Sequence, residues 1–399
     1  MIGKERKNKR IYLDYAASTP IDPEAAKAMQ PYLDEKYQKF GNAMSVHSFG
    51  REMKQAVEKS REEVATLMKA DAADVFFTSS ATEANNLALK GMAWANRSKG
   101  SHIIISSIEH NCILRSAEWL GKQGFDITVL PVDKYGIVSP ESVERALRKD
   151  TILVSVMHAN NEIGTIEPIK EIGKICKDAG IAFHTDAAQS YGKLPIDVNG
   201  MNIDMLTASS HKMYGPLGVA ALYVRKGIKL EPLLHGGGQE KGLRSSTTNV
   251  AAIVGFGKAA EIAKRKMKSE QRAQTRLRDY LINQILSRVA DSHLNGHRSK
   301  RLPNNANFWF SYIEGESLIM HLDAAGIAAG TGSACSSMSL EPSHVLLAIG
   351  LKPEEAHGSL RLSVGRFTKE ADVKYVVEVL PEIVENLRKI SPFKGSWKA

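Results

Sequence analysis

The residue best placed to do covalent chemistry is Lys212, in the segment Thr207-Ala208-Ser209-Ser210-His211-Lys212-Met213-Tyr214-Gly215-Pro216-Leu217-Gly218. It follows an apolar run and sits among small residues and glycines. A confined, partly desolvated amine loses its proton more readily than one in water and becomes a nucleophile toward an aldehyde, so the setting suits a Schiff base. Ser209 and His211 beside it offer donors for a phosphate. Alone, a lysine on a glycine turn reads more readily as a surface residue; two further segments change that. Thr78-Ser79-Ser80-Ala81-Thr82-Glu83 is a small polar turn opening a helix. Its free N–H groups and the helix dipole can hold a phosphate, although the same residue types make an ordinary helix cap. Asp186, in Thr185-Asp186-Ala187-Ala188-Gln189, places a carboxylate after another apolar run. A phosphate cradle, a carboxylate and a lysine are what pyridoxal 5'-phosphate needs. The lysine takes the aldehyde, the cradle takes the phosphate, and the carboxylate keeps the pyridine nitrogen protonated so that the ring draws electrons.

Of three cysteines, Cys335 has the most telling surroundings, Gly330-Thr331-Gly332-Ser333-Ala334-Cys335-Ser336-Ser337. Small residues predict a mobile loop with an accessible thiol, whereas a structural cysteine sits among larger apolar neighbours. A free thiol with a pKa of about 8.5 is only slightly ionised at neutral pH, so the site must supply the thiolate. Cys112 and Cys176 fall in helical apolar patterns and read as packing. An odd, sparse set without metal spacing argues against a disulfide framework or a zinc cluster and for a reducing compartment. His293 and His297 flank Asn295 and Gly296, a surface-loop pattern, and no metal is expected.

Something must bring these segments together. Short apolar runs at 75–78, 102–106, 126–129, 152–157, 181–185, 205–208 and 219–224 alternate with helical stretches at 83–95, 113–123, 140–148 and 169–179. That alternation predicts an α/β fold, a mostly parallel sheet covered by helices. In such sheets ligands bind at the carboxyl ends of strands, where the polar segments above fall. Near Ala260 the pattern changes to a charged helix over about 262–289 leading into a smaller C-terminal domain. The length of 399 residues also favours two domains.

Hydrophobic content of 43% with 24% charged residues is ordinary for a globular enzyme. No apolar run approaches the roughly 20 residues that span a bilayer, and the basic, polar start carries no hydrophobic stretch behind it, so a cytoplasmic protein is expected. The net charge of +9 is spread along the chain apart from short runs at 4–10 and 264–268. It reads as solvated surface, without direct nucleic-acid binding.

The segments YLDYAASTP, FTSSATEANNLA, SSIEHNCIL, SVMHANNEIG, FHTDAAQS, SSHKMYGPLGVAALYV, HGGGQEKGLRSSTTN, EGESLIMHLD, GTGSACSS and LRLSVGRFT closely resemble the NifS/IscS-type cysteine desulfurases of the class V aminotransferase group. The resemblance runs in order from about residue 11 to residue 388. It implies a fold type I PLP enzyme and a homodimer. The large cofactor domain would span 20–261. Residues 262–399, the connecting helix and a small domain carrying the cysteine loop, would pack with the N-terminal segment 1–19. It also implies roles: Lys212 holds the cofactor aldehyde, Asp186 meets the pyridine nitrogen, Gln189 neighbours the ring oxygen and His110 stacks on the ring. Ala81, Thr82, Ser209 and His211 would bind the phosphate, with Thr247 reaching across from the second subunit. Asn161 and Arg361 would hold the substrate carboxylate, a task suited to the planar fork of arginine.

The implied reaction takes sulfur from L-cysteine, leaves L-alanine, and loads Cys335 with a persulfide. The sulfur then passes to an acceptor protein, an iron–sulfur scaffold or a tRNA-thiolation carrier. Selenocysteine lyase, or another class V PLP enzyme, would share nearly every motif; a basic binding module without catalysis would not need them. Ser80, Ser210 and Ser246 stand where relatives commonly have glycine, which leaves loop conformation open because glycine alone tolerates positive φ freely.

Overall fold

The structure is a computed structural model that describes residues 10–331 and 341–391. After a two-residue strand β1 (Ile11–Tyr12), seven strands build the main sheet. These are β2 (Val75–Thr78), β3 (His102–Ser106), β4 (Asp126–Leu130), β5 (Thr151–Ser155), β6 (Ala182–Asp186), β7 (Met205–Ser209) and β8 (Ala220–Val224). Their order is β2-β8-β7-β6-β5-β3-β4. Only β8 runs against its neighbours β2 and β7, so the other six point the same way and share one carboxyl edge. Every residue of β3, β5, β6, β7 and β8 is buried, as expected for strands covered on both faces.

Helix faces follow the same logic. Ile169–Ala179 buries Ile169, Ile172, Gly173 and Cys176, one stripe at helical spacing. Gly173 has to be glycine, since a Cβ there would lie 2.1 Å from the Met201 carbonyl oxygen. Cys176 is wholly buried in this core, and burial pushes its thiol up to about 12, so packing is its role.

Four more strands complete the smaller unit: β9 (Ser292–Asn295), β10 (Asn305–Phe310), β11 (Ile327–Ala328) and β12 (Ser359–Ser363). Antiparallel β9, β10 and β12 form one sheet, and β11 pairs in parallel with β1. Helices Gly315–Ala324 and Glu370–Ile390 pack over a separate core that includes Leu13, Phe308, Leu318, Leu362 and Leu380. One continuous helix, Val250–Arg288, joins the two cores. Its first turns bury Ile253, Phe256 and Ala260 in the large core, and its last bury Leu281, Ile282 and Ile285 in the small one. Among the described residues no helix is long and apolar enough to cross a membrane.

Candidate active site

The carboxyl edge of the main sheet opens into a cleft of about 900 Å³. Chain direction explains its contents. β2 delivers Ala81 and Thr82, β3 delivers His110, β5 delivers Asn161, β6 delivers Asp186 and Gln189, and β7 delivers Ser209, His211 and Lys212; all of them line the cleft, and Arg361 joins them from β12 of the smaller unit. Thr247 is exposed and outside this cleft, on the segment before the long helix. Cys335 lies outside the described residues.

Lys212 sits at the end of a single turn, Ser210–Lys212, directly after β7. Its Nζ donates to the carbonyl oxygens of Ala16 and Ala17, each at 2.6 Å. Gln189 Nε2 donates to the same Ala16 oxygen at 2.9 Å. A stretch of N-terminal chain therefore seats the amine. These carbonyls left no mark in the side-chain pattern, although YLDYAASTP contains both. Beside the lysine, burial and the charges of Lys212 and Lys193 lower His211 to about 4, so its ring is neutral at physiological pH. Its Nδ1 lies 3.2 Å from Ser18 Oγ.

Asp186 is 5% exposed. Oδ2 accepts from Asn85 Nδ2 at 2.7 Å and Oδ1 from the backbone of Ala188 at 2.8 Å. No ion pair to it is found among the described residues. A buried carboxylate held by neutral donors suits a cationic ring nitrogen, because a buried charge is costly until it meets its opposite.

His110 caps the helix Asn111–Lys122, its Nδ1 accepting from the backbone N–H of Cys112 at 3.2 Å. An accepting Nδ1 assigns the ring proton to Nε2. The Cys112 sulfur stands 3.0 Å from the same Nδ1 and 3.1 Å from Asn85 Nδ2, at the wall of the cleft. Cys112 also keeps the packing role expected for it, lying against the core that contains Leu87, Ile113 and Leu120. It occupies the second position of its helix, and that first turn faces the site. Behind the imidazole, buried Glu109 accepts from Ser106 Oγ at 2.6 Å and the Met157 N–H at 2.7 Å; desolvation raises its carboxyl to about 8.

Arg361 is nearly buried, with 3% of its side chain exposed, and is fixed in two directions. Nη2 donates to Asp14 Oδ1 at 2.8 Å and Nη1 to the carbonyl oxygen of Asn161 at 3.0 Å. Two of the three serines at glycine positions adopt backbone conformations that do not need glycine. Ser80 has φ −162°, an extended conformation open to any residue, and its Oγ caps the next helix by accepting from the Glu83 N–H at 3.1 Å. Ser210 adopts an ordinary turn, but among the described residues its buried Oγ has no hydrogen-bond partner.

Comparison with known proteins agrees with this geometry. The aminotransferase class-V family model matches residues 11–376. Cysteine desulfurase IscS of Dictyoglomus turgidum is 53% identical over 390 residues, 98% of each chain. The chain belongs to the class-V aminotransferase family and, within it, to the IscS-type cysteine desulfurases. A second IscS, from Methanosarcina thermophila, is 53% identical over 385 residues, covering 96% of this chain and 94% of that one. Among solved structures, a NifS-like protein superposes with a TM-score of 0.88 at 36% identity, covering 95% of this chain and all of the other. The protein named SspA, solved in complex with cysteine, superposes with a TM-score of 0.79 at 38% identity over 90% of this chain and all of the other. Enzymes of this family use pyridoxal 5'-phosphate, and the donor set at the sheet edge of this desulfurase fits that group.

Proposed function

We propose that the protein converts L-cysteine to L-alanine and receives the sulfur on Cys335 as a persulfide, for delivery to an acceptor protein of iron–sulfur assembly or tRNA thiolation. The observation that carries this reading is the meeting of Lys212, buried Asp186 and helix-capping His110 at one sheet edge, with Arg361 closing the cleft from the smaller unit. Lys212 and Asp186 would hold pyridoxal 5'-phosphate at its aldehyde and ring nitrogen, with Gln189 beside the ring oxygen. Ala81, Thr82, Ser209 and neutral His211 would take its phosphate, with Thr247 from a second copy. When bound, the cofactor supplies an aldehyde for the substrate amine and a protonated ring that draws electrons from Cα, weakening the C–S bond.

The protein's own residues do the rest. Arg361 and Asn161 orient the substrate carboxylate. With the cofactor bound, Lys212 Nζ would take the Cα proton, and His110 would move protons through Nε2. The Cys335 thiolate attacks the substrate sulfur, so the new S–S bond forms as the Cβ–S bond breaks. Atoms balance: L-cysteine and one protein thiol become L-alanine and one persulfide.

This reading includes a cytoplasmic homodimer with two domains per chain. Residues 20–261 hold the cofactor; 262–399 with 1–19 carry Arg361 and the cysteine loop. Leu33, Phe40, Met44 and Val46 are exposed apolar side chains that a second copy would cover. Incubation with L-cysteine followed by mass mapping should find the added sulfur on Cys335. Cys335→Ala should abolish alanine formation while keeping the bound cofactor's visible absorbance, and Lys212→Ala should lose that absorbance. Persulfide on another residue, or undiminished alanine formation by Cys335→Ala, would defeat the assignment.

A further inference from the structure

Asn85 belongs to neither the expected site residues nor the mechanism above, yet it touches both halves of the cofactor site. It is fully buried in the helix Ala81–Asn86 and lines the cleft. Its one amide nitrogen lies 2.7 Å from Asp186 Oδ2 and 3.1 Å from Cys112 Sγ. A primary amide carries two hydrogens on that nitrogen, so both contacts are satisfied at once. The reverse orientation would aim Oδ1 at a carboxylate, which fixes the assignment. Cys112 in turn stands 3.0 Å from His110 Nδ1, where its thiol can donate. Among the described residues, buried Asn85 Oδ1 has no hydrogen-bond partner. A residue kept for helix packing alone would not bury an unsatisfied carbonyl, which costs free energy. The two helices are already clamped elsewhere, by Ser116 Oγ donating to Asn86 Oδ1 at 2.9 Å.

We propose that Asn85 is a positioning residue for the desulfurase reaction, holding Asp186 in line for the ring nitrogen and, through the thiol of Cys112, holding the His110 ring. This deepens the PLP reading above and rests on it. One arm orients a carboxylate and the other an imidazole, so cutting the arms separately should have separable effects.

Asn85→Leu keeps the branched shape and the number of heavy atoms and removes both donated hydrogen bonds. Cofactor affinity, measured by titrating the apoprotein with pyridoxal 5'-phosphate, should fall about tenfold or more, since a bond to a charged group is lost. The kcat for alanine formation should fall by a similar factor. The KM for cysteine should stay within about threefold, since Arg361 and Asn161 are untouched. Cys112→Ala cuts only the second arm: kcat should fall about fivefold with cofactor affinity unchanged, and Cys112→Ser, whose hydroxyl accepts from Asn85 and donates to His110, should restore most of it. If Asn85→Leu fails to fold, the Cys112 pair decides. Wild-type cofactor affinity and kcat in Asn85→Leu, or lower stability with unchanged kcat per folded site, would overturn the proposal. So would equal behaviour of Cys112→Ala and Cys112→Ser. Wild-type protein that bound no cofactor would overturn the parent reading instead, and this one with it.

Discussion

Replacing Asp14 by alanine should weaken cysteine binding as well as stability, and the structure sets the size of both effects. The Asp14–Arg361 pair is 2.8 Å long, with 20% of the aspartate side chain and 3% of the arginine side chain exposed. Gly330 seals it: a Cβ there would lie 3.2 Å from Asp14 Oδ1 and 3.3 Å from Arg361 Nη2. Removing one partner of a fully buried pair costs about 3–5 kcal/mol. The partial exposure of Asp14 brings the expected loss for Asp14→Ala down to about 2–3 kcal/mol, because solvent screens that end. Arg361→Met removes the charge itself, so the double variant leaves no stranded guanidinium and should recover about 1.5–3 kcal/mol relative to additivity. Urea unfolding of the three variants and the wild type measures this cycle. For function, a guanidinium that has lost its Asp14 partner meets the substrate carboxylate with poorer alignment. If about 1.4 kcal/mol of the pair's contribution is orientation, KM for cysteine rises about tenfold in Asp14→Ala with kcat changed only a few-fold. Additive unfolding losses together with an unchanged KM would show that the pair neither couples nor aligns, and the reasoning would fail.

Two further changes test residues that support the cleft. Burial holds the Glu109 carboxyl near 8, so the folded protein keeps a proton that the unfolded chain releases near 4.5. On this account stability falls as pH rises between those values, by up to about 1.4 kcal/mol per pH unit. Glu109→Gln keeps an oxygen for Ser106 and Met157, so its unfolding free energy relative to wild type should rise between pH 5.5 and 7.5; a constant difference would show that Glu109 is not protonated in the fold. Gly215→Ala would put a Cβ 2.1 Å from Ser210 Oγ and displace the turn that carries Lys212, so cofactor retention on gel filtration should drop, and wild-type retention would refute the tight contact.

Much of this site was legible because strand ends announce themselves. An apolar run followed abruptly by Asp186 or by Ser209 to Lys212 marks the edge where a parallel sheet receives ligands, and the expected strands lie within a residue or two of the observed ones. Other features carried no such signal. The long helix begins at Val250, ahead of the charged stretch from 262 that marked it in the sequence. From Val250 to Ala263 it is small and apolar on nearly every side, so no amphipathic period reveals it. Cys112 was hidden for a related reason: its helix has a clear apolar stripe, but at a helix start the first turn faces whatever precedes it, here the cleft. Asn85 sits in a quoted motif, yet its partners lie 27 and 101 residues away and no local pattern encodes them.

The N-terminal segment shows why such gaps matter for function. Ala16 and Ala17 seat the lysine amine through main-chain oxygens, while Asp14, two residues earlier, holds the arginine assigned to the substrate carboxylate. Ser363 Oγ accepts from the Ala16 N–H at 2.9 Å and ties the same stretch to β12, the strand that carries Arg361. The seat of the lysine and that of the arginine are therefore both set by one short piece of backbone. Main-chain geometry there is fixed by β1 pairing with β11, so a substitution that shifts β1 should move the lysine seat and the arginine together. A side-chain change at Asp14, by contrast, should leave the lysine seat and cofactor retention in place.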